Sequence, residues 1–185
     1  YGAPRLHDRG DAVPAALASG CELVAAVFSR DEILRWLGQV ADPEIPVLSN
    51  TDLGIVREVE VGERVTVALS PTYSGCPATE VIEQSVLDAL RDHGVEDVEI
   101  KRVLSPPWTT DWISDEGRDK LRRYGIAPPE EGVGKRALLR GERRVACPRC
   151  GAIATELVSE FGSTACKASY RCSECLEPFE YFKCI

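Results

Sequence analysis

Between residues 29 and 104 the apolar positions switch between a helical and a strand spacing, and the switches mark out a run of elements. Ile33, Leu34, Leu37 and Val40 recur at helical spacing. Ser29 stands three residues before Glu32, the pattern of a capping box, so a helix is expected to open at Ser29. Asp42-Pro-Glu-Ile-Pro ends it, because each proline disfavours helical geometry at the residue before it. Alternation follows. Ile55, Val59 and Val61 are expected on one face of a strand, and Val65, Val67 and Leu69 on one face of the next, with Gly62-Glu63 turning a hairpin between them. Helical spacing returns at Ala78, Val81, Ile82, Val86, Ala89 and Leu90. Pro77 suits the first position of that helix and Gly94 its end. Val98, Ile100 and Val103 supply a third strand. The order α-β-β-α-β predicts an α/β (α+β) fold, a small two-layer domain over 29–104 with its helices on one face of the sheet.

The remainder is less periodic. Residues 1–28 are rich in Ala, Gly and Pro and read as a mobile tail, with Cys21 an incidental thiol. Ser105-Pro-Pro-Trp-Thr-Thr-Asp-Trp-Ile-Ser reads as a turn-rich loop exposing Trp108 and Trp112. A short helix over 114–124 is expected to end at Gly125, with 127–131 as linker, so that 105–144 connects two units. From 145 to 185 strands are expected over 155–161, 168–171 and 179–182, a β-rich C-terminal module.

Composition narrows the function classes. The 185 residues are 44% hydrophobic, enough for a core, and carry a net charge of −8, the wrong sign for a general nucleic-acid binder. The local basic run at 135–144 reads as a solvated connector or docking surface. No apolar run reaches the roughly 18 residues of a membrane span. The mildly apolar stretch 13–28 contains Glu22 and lacks the basic start of a secretory signal. A cytoplasmic protein is expected, binding neither nucleic acid nor membrane.

Cysteine spacing carries the chemistry. Cys147-Pro-Arg-Cys150 and Cys172-Ser-Glu-Cys175 are two C-x-x-C knuckles separated by 21 residues, the ligand set of a structural zinc ribbon. Two disulfides are the competing reading, but a core of this size does not need such staples. A redox C-x-x-C would be expected once, beside a βαβ unit. Four thiolates accept iron as well as zinc. Cys166 and Cys184 remain open between buried thiols, a second cysteine pair and substitute ligands.

Cys76 is the other chemical feature. Placed before Pro77, it is expected at the N-cap of the second helix, where unpaired N–H groups and the helix dipole would lower its pKa. Gly75 would let a ligand approach the backbone, and Thr72, Tyr73 and Ser74 offer hydroxyls. The plainer alternative is a small apolar capping residue. A thiol enzyme fits less well, since the two histidines, His7 and His93, fall in the tail and at the far end of the helix. A cluster generally wants four ligands. Others would come from a second copy in a homodimer, a partner, a small thiol, or the carboxylates Asp42, Glu44 and Asp52, which otherwise read as turn and capping residues.

Asp42-Pro-Glu-Ile-Pro-Val-Leu-Ser-Asn-Thr-Asp-Leu-Gly-Ile-Val, followed by Ser-Pro-Thr-Tyr-Ser-Gly-Cys76-Pro-Ala, resembles the SufT-like domain of iron–sulfur assembly factors, although Ser70 stands where many members carry Thr. Together with Ser-Pro-Pro-Trp-Thr-Thr-Asp-Trp-Ile, Phe-Gly-Ser-Thr-Ala-Cys166-Lys and the ending Glu-Pro-Phe-Glu-Tyr-Phe-Lys-Cys184-Ile, it resembles the PaaD family of phenylacetate-degradation proteins over about residues 30–185. The resemblance implies a non-catalytic accessory component of phenylacetyl-CoA 1,2-epoxidase, a monooxygenase with a di-iron subunit and a flavin/iron–sulfur reductase. It implies assembly or repair of metal centres such as the reductase 2Fe–2S cluster, with Cys76, Asp52 and Glu44 holding iron or an iron–sulfur cluster in transit. The competing role is a structural subunit bridging oxygenase and reductase without handling metal.

Overall fold

The computed structural model describes residues 28–73, 75–129 and 145–183. The tail over 1–27 with His7 and Cys21, the basic run at 135–144, and Cys184 lie outside the described residues. The first unit follows the expected order. Helix α1 (Arg30–Leu37) carries the full capping box at Ser29 and Glu32 and buries Ile33 and Leu37. Strands β1 (Val56–Val61) and β2 (Val65–Leu69) pair antiparallel. Helix α2 (Thr79–Asp92) then crosses over to β3 (Val98–Arg102), which pairs parallel with β2. A parallel neighbour needs such a crossover, whereas the antiparallel pair needs only a tight turn. The sheet order is β1-β2-β3, and the central strand β2 is buried along its length. Val61 departs from expectation: at the hairpin tip it is 38% exposed, beyond the core that covers Ile55 and Val59.

The described part of the connecting region, 105–129, holds the expected helix and two features that the sequence pattern does not predict. Helix α3 (Asp115–Tyr124), capped by Ser114, ends at Gly125, whose φ of 96° reverses the chain. The next residues form a short strand, β4 (Ile126–Ala127), which takes the first residue of the expected linker into the C-terminal sheet, parallel to β7 (Pro178–Phe182). That sheet is completed by β6 (Lys167–Cys172) and the edge strand β5 (Thr155–Ser159), in the order β4-β7-β6-β5.

The tryptophan loop is the second correction. Trp108 is buried, its indole N–H donating to the Leu53 carbonyl at 2.9 Å, and its ring lies 6.0 Å from that of Phe182 on β7. Trp112 is half-buried beneath the Arg57 guanidinium, 3.4 Å from the ring centroid. A tryptophan carries too much apolar area to stay in water when a partner surface is near. Phe182 and Cys166, from the C-terminal module, pack into the same apolar cluster as Ile33, Val67 and Leu90 of the first unit. A separate small cluster around Tyr170, Phe179 and Tyr181 supports the cysteine knuckles.

Candidate functional site

The four knuckle cysteines converge. Their sulfurs all lie within 4.8 Å of one another, with Cys147–Cys175 at 3.7 Å and Cys150–Cys172 at 3.6 Å. A regular tetrahedron with zinc–sulfur bonds of about 2.3 Å has edges of about 3.8 Å, which these two separations match. Each knuckle closes on a left-handed residue, Gly151 (φ 78°) after the first and Leu176 (φ 66°) after the second. The Gly151 N–H donates to the Cys147 carbonyl at 2.8 Å, and the Cys175 N–H points at the Cys172 sulfur at 3.5 Å. Backbone N–H groups, that of Cys175 foremost, draw the Cys172 thiol down to about 7. Four protein thiolates fill a tetrahedral shell and leave no open position, which makes this zinc structural.

Cys76 sits elsewhere, and its environment differs from the expected one. The N-cap of α2 is Ala78, two residues further on. The Cys76 carbonyl accepts from the Thr79 hydroxyl at 2.8 Å and the Thr79 N–H at 3.3 Å. Because the dipole acts mainly within the first turn, a thiol set back from it gains little. Burial dominates instead and pushes the Cys76 pKa up. The Ala78 N–H opposes this, while the Glu44 carboxylate reinforces it. Burial, with the charges of Cys76 and Glu44, also pushes Tyr73 up to about 12. Gly75 is not required by space or backbone, since a Cβ there would meet only the Tyr73 ring at an ordinary 3.9 Å.

The half-buried Cys76 lines a small cleft, about 10 Å³, together with Asp42, Glu44 and, from the C-terminal module, Cys166. That is room for about one water-sized guest. Its walls are apolar, including Ile45, Leu53, Ile55 and Phe182. Asp42 is a structural organiser of the Asp-Pro-Glu loop: its Oδ1 accepts the N–H groups of Glu44 at 2.9 Å and Ile45 at 2.8 Å. Burial raises its pKa despite those donors. Glu44 reaches across to the ribbon, its Oε2 accepting from the Cys166 thiol at 3.5 Å. Burial raises the Cys166 pKa to about 11; the Thr164 hydroxyl, 3.0 Å away, opposes it and Glu44 adds to it.

Asp52, expected with Cys76 and Glu44, does not line this cleft. Its Oδ2 accepts from the Ser49 N–H at 2.9 Å, the Ser49 hydroxyl at 2.8 Å and Lys120 Nζ at 2.9 Å, and its Oδ1 from the Ser114 hydroxyl at 3.2 Å. Burial acts against the charge, but these donors together hold its pKa below the usual carboxylate value. The aspartate ties the loop before β1 to the start of α3. Cys166 is the residue that pattern reading left out of the candidate site. Its spacing from the knuckles carries no ligand signature, and only the surrounding Gly-Ser-Thr-Ala-Cys frame set it apart.

Comparison with known proteins follows the same division. Residues 30–102 match a family model described as an iron–sulfur cluster assembly protein, and residues 132–183 match the PaaD zinc beta ribbon domain. A protein of Escherichia coli K12 named as one of the subunits of 1,2-phenylacetyl-CoA epoxidase is 52% identical over 155 residues, covering 83% of this chain and 92% of that one. An Fe–S protein maturation auxiliary factor of Porphyromonas gingivalis is 37% identical over 96 residues, covering 50% of this chain and 90% of its own length. A crystal structure of a domain of unknown function from Bacillus anthracis has a TM-score of 0.47 at 26% identity, over 49% of this chain and 89% of that one. Identity of 52% over 83% of this chain, with the assembly-protein and zinc-ribbon models both matched, makes this chain a member of the PaaD family of phenylacetyl-CoA epoxidase subunits.

Proposed function

We propose that the chain is a cytoplasmic accessory factor that assembles or repairs metal centres of phenylacetyl-CoA epoxidase, the 2Fe–2S cluster of its reductase foremost, without catalysing epoxidation. The observation that carries this reading is the setting of Cys76. It faces an acid-bearing cleft whose described lining contains no Lys, Arg or His. Of the two histidines, His93 stacks on Trp36 with ring centroids 4.3 Å apart and hydrogen-bonds the Ala89 carbonyl, so it is not poised as a base for the thiol. A thiol beside carboxylates, with no histidine or lysine among the described residues of the cleft, suits transient coordination of iron better than nucleophilic chemistry. Cys76 and Glu44 are the proposed cargo-handling pair, with the zinc ribbon holding the architecture around them. Asp52 is excluded from the pair because its oxygens are committed to Ser49, Ser114 and Lys120.

Cys76→Ser should leave fold and ribbon zinc unchanged while the reductase produced beside it carries less 2Fe–2S cluster. Full cluster occupancy beside that variant would sink the assignment. A bridging role is favoured by one observation: Leu157, Val158 and Phe161, on and just after the edge strand β5, are 45%, 66% and 67% exposed. Iron and sulfide reconstitution separates the two readings, since a bridge that handles no metal stays colourless while co-purifying with the oxygenase.

A further inference from the structure

Five of the nine large apolar side chains exposed among the described residues are on the ribbon: Ile153, Leu157, Val158, Phe161 and Leu176. Three of these follow one line, along the edge strand β5 and into the loop after it. Phe161 is 67% exposed, yet it is held in place. The Ser159 hydroxyl donates to the Phe161 carbonyl at 2.8 Å and accepts the Phe161 N–H at 3.2 Å. Lys183 Nζ lies 4.6 Å from the Phe161 ring centroid and donates to the Glu160 carbonyl at 2.6 Å. An exposed ring fixed in this way has little ordering left to lose when a partner covers it. The same loop reaches the cleft. The Gly162 N–H closes its turn on the Lys167 carbonyl at 2.8 Å, and the Thr164 hydroxyl stands 3.0 Å from the cleft-lining Cys166 thiol.

Charge narrows what can cover this line. Glu156, Glu160, Glu174 and Glu177 are exposed on the ribbon. Of its described cations, Lys167 is buried against Glu180, and Arg149 packs beside Gly125 at the end of α3. Arg171 lies across the ladder from Glu156, and Lys183 is engaged with Phe161 and Glu160. A second copy fits poorly. Two β5 strands paired antiparallel about Val158 would set Glu156 opposite Glu160, and like charges directly opposed are destabilising. The register also slips between Leu157 and Ser159, which leaves Val158 as an extra residue, and such bulges blunt an edge against strand addition. Apolar anchors among acidic side chains suit an apolar partner segment flanked by Lys or Arg.

We infer that β5 and the loop through Phe161 dock the client protein whose metal centre is served, by way of an apolar client segment flanked by Lys or Arg. The inference rests on the metal-handling reading of Cys76 and adds where the client binds. Phe161 is the anchor, Leu157 and Val158 extend it, and the glutamates select the charge of the partner. Docking there sets the client beside the cleft, so the cargo has a short path from Cys76. The side chains that favour a bridge thereby serve transfer.

The test uses the full chain with its ribbon zinc in place and the purified, cluster-free reductase as probe, with binding followed by interferometry at low and high salt. Zinc content and helical circular dichroism check that each variant is folded. The wild type should bind, and less tightly at high salt. Phe161→Ala and Val158→Lys should each weaken binding by about tenfold or more, the level of an interface anchor. Glu156→Lys should slow association and flatten its salt dependence. A wild type that does not bind the reductase, or Phe161→Ala and Val158→Lys with unchanged affinity, overturns the inference. Three other occupants overturn it as well. A wild-type dimer that Phe161→Ala makes monomeric gives the surface to a second copy. Phe161 shielded from hydroxyl-radical labelling in the free chain, and released when 135–144 is replaced by Gly and Ser, gives it to that basic run. Capture of the oxygenase in place of the reductase, lost in the same variants, gives it to the bridge. Cys76→Ser should bind the reductase as the wild type does. Full cluster occupancy beside Cys76→Ser, with Phe161→Ala still weakening binding, removes the Cys76 reading and keeps the docking surface. Normal binding by the β5 variants beside a deficient Cys76→Ser does the reverse.

Discussion

Phe182→Ala is the sharpest probe of how the two units depend on each other. Phe182 is on the last ribbon strand, yet it is 1% exposed within the core of the first unit and packs against Trp108. Truncating a buried phenylalanine costs about 3–5 kcal/mol, a figure that includes the cavity it leaves. The ring pair with Trp108 places the expected loss toward the upper end, since such pairs add about 0.5–1.5 kcal/mol beyond area. With a urea slope of about 2 kcal/mol per molar, the midpoint should fall by about 1.5–2.5 M. Two signals separate the units. Helical circular dichroism reports α1, α2 and α3, which among the described residues all precede the ribbon, and a zinc-sensitive dye reports release from the four cysteines. Both transitions should move together. If zinc release shifts while the helical midpoint stays within about 0.3 M of wild type, the argument for a shared core is refuted, because a loss confined to the ribbon cannot reach the helices.

Two further outcomes follow from named contacts. Asp52→Asn should cost about 1.5–3 kcal/mol at neutral pH, the range for hydrogen bonds to a charged group. Because the folded pKa lies below the ordinary value of 3.8, the folded protein binds fewer protons there, and the stabilisation present above that value is lost as pH falls through the folded pKa. The variant should lack that acid-side loss in a urea series across the acid range, and parallel curves for variant and wild type would contradict the assignment. Gly54→Ala should lose about 2–5 kcal/mol of stability from backbone strain and overpacking together. The glycine has φ +65°, and a Cβ there would stand 2.5 Å from the Trp112 carbonyl oxygen. Thermal unfolding measures it against Gly62→Ala, where the nearest atom is 3.9 Å away and the change should stay within about 0.5 kcal/mol.

Local rules carried a long way in this chain. Apolar spacing placed α1, α2 and the strand pairs because a helix or a strand must put one face against the core whatever else the protein does. The capping box at Ser29 and Glu32 formed as written because its partners are three residues apart. The zinc ligands were legible for a similar reason: each knuckle is local, one precedes β5 and the other begins at the end of β6, and the antiparallel pairing of those strands brings them together. What depends on distant residues was not legible. Trp108 looked exposed because the surface that buries it, Leu53 and Phe182, lies 55 and 74 positions away. Ala127 looked like the start of a linker because the partner of its strand is β7, more than 50 residues later. Asp52 looked like a ligand until Lys120 and Ser114 arrived from α3 and its cap. Cys166 carried no pattern of its own, because the Glu44 that it meets lies 122 positions away. Local pattern thus settles the elements of the first unit, the four-thiolate knot and the resemblance to a family. Burial, a property of the assembled core, sets the Cys76 pKa upward rather than downward, and the packing of one unit on the other makes its cleft common to both.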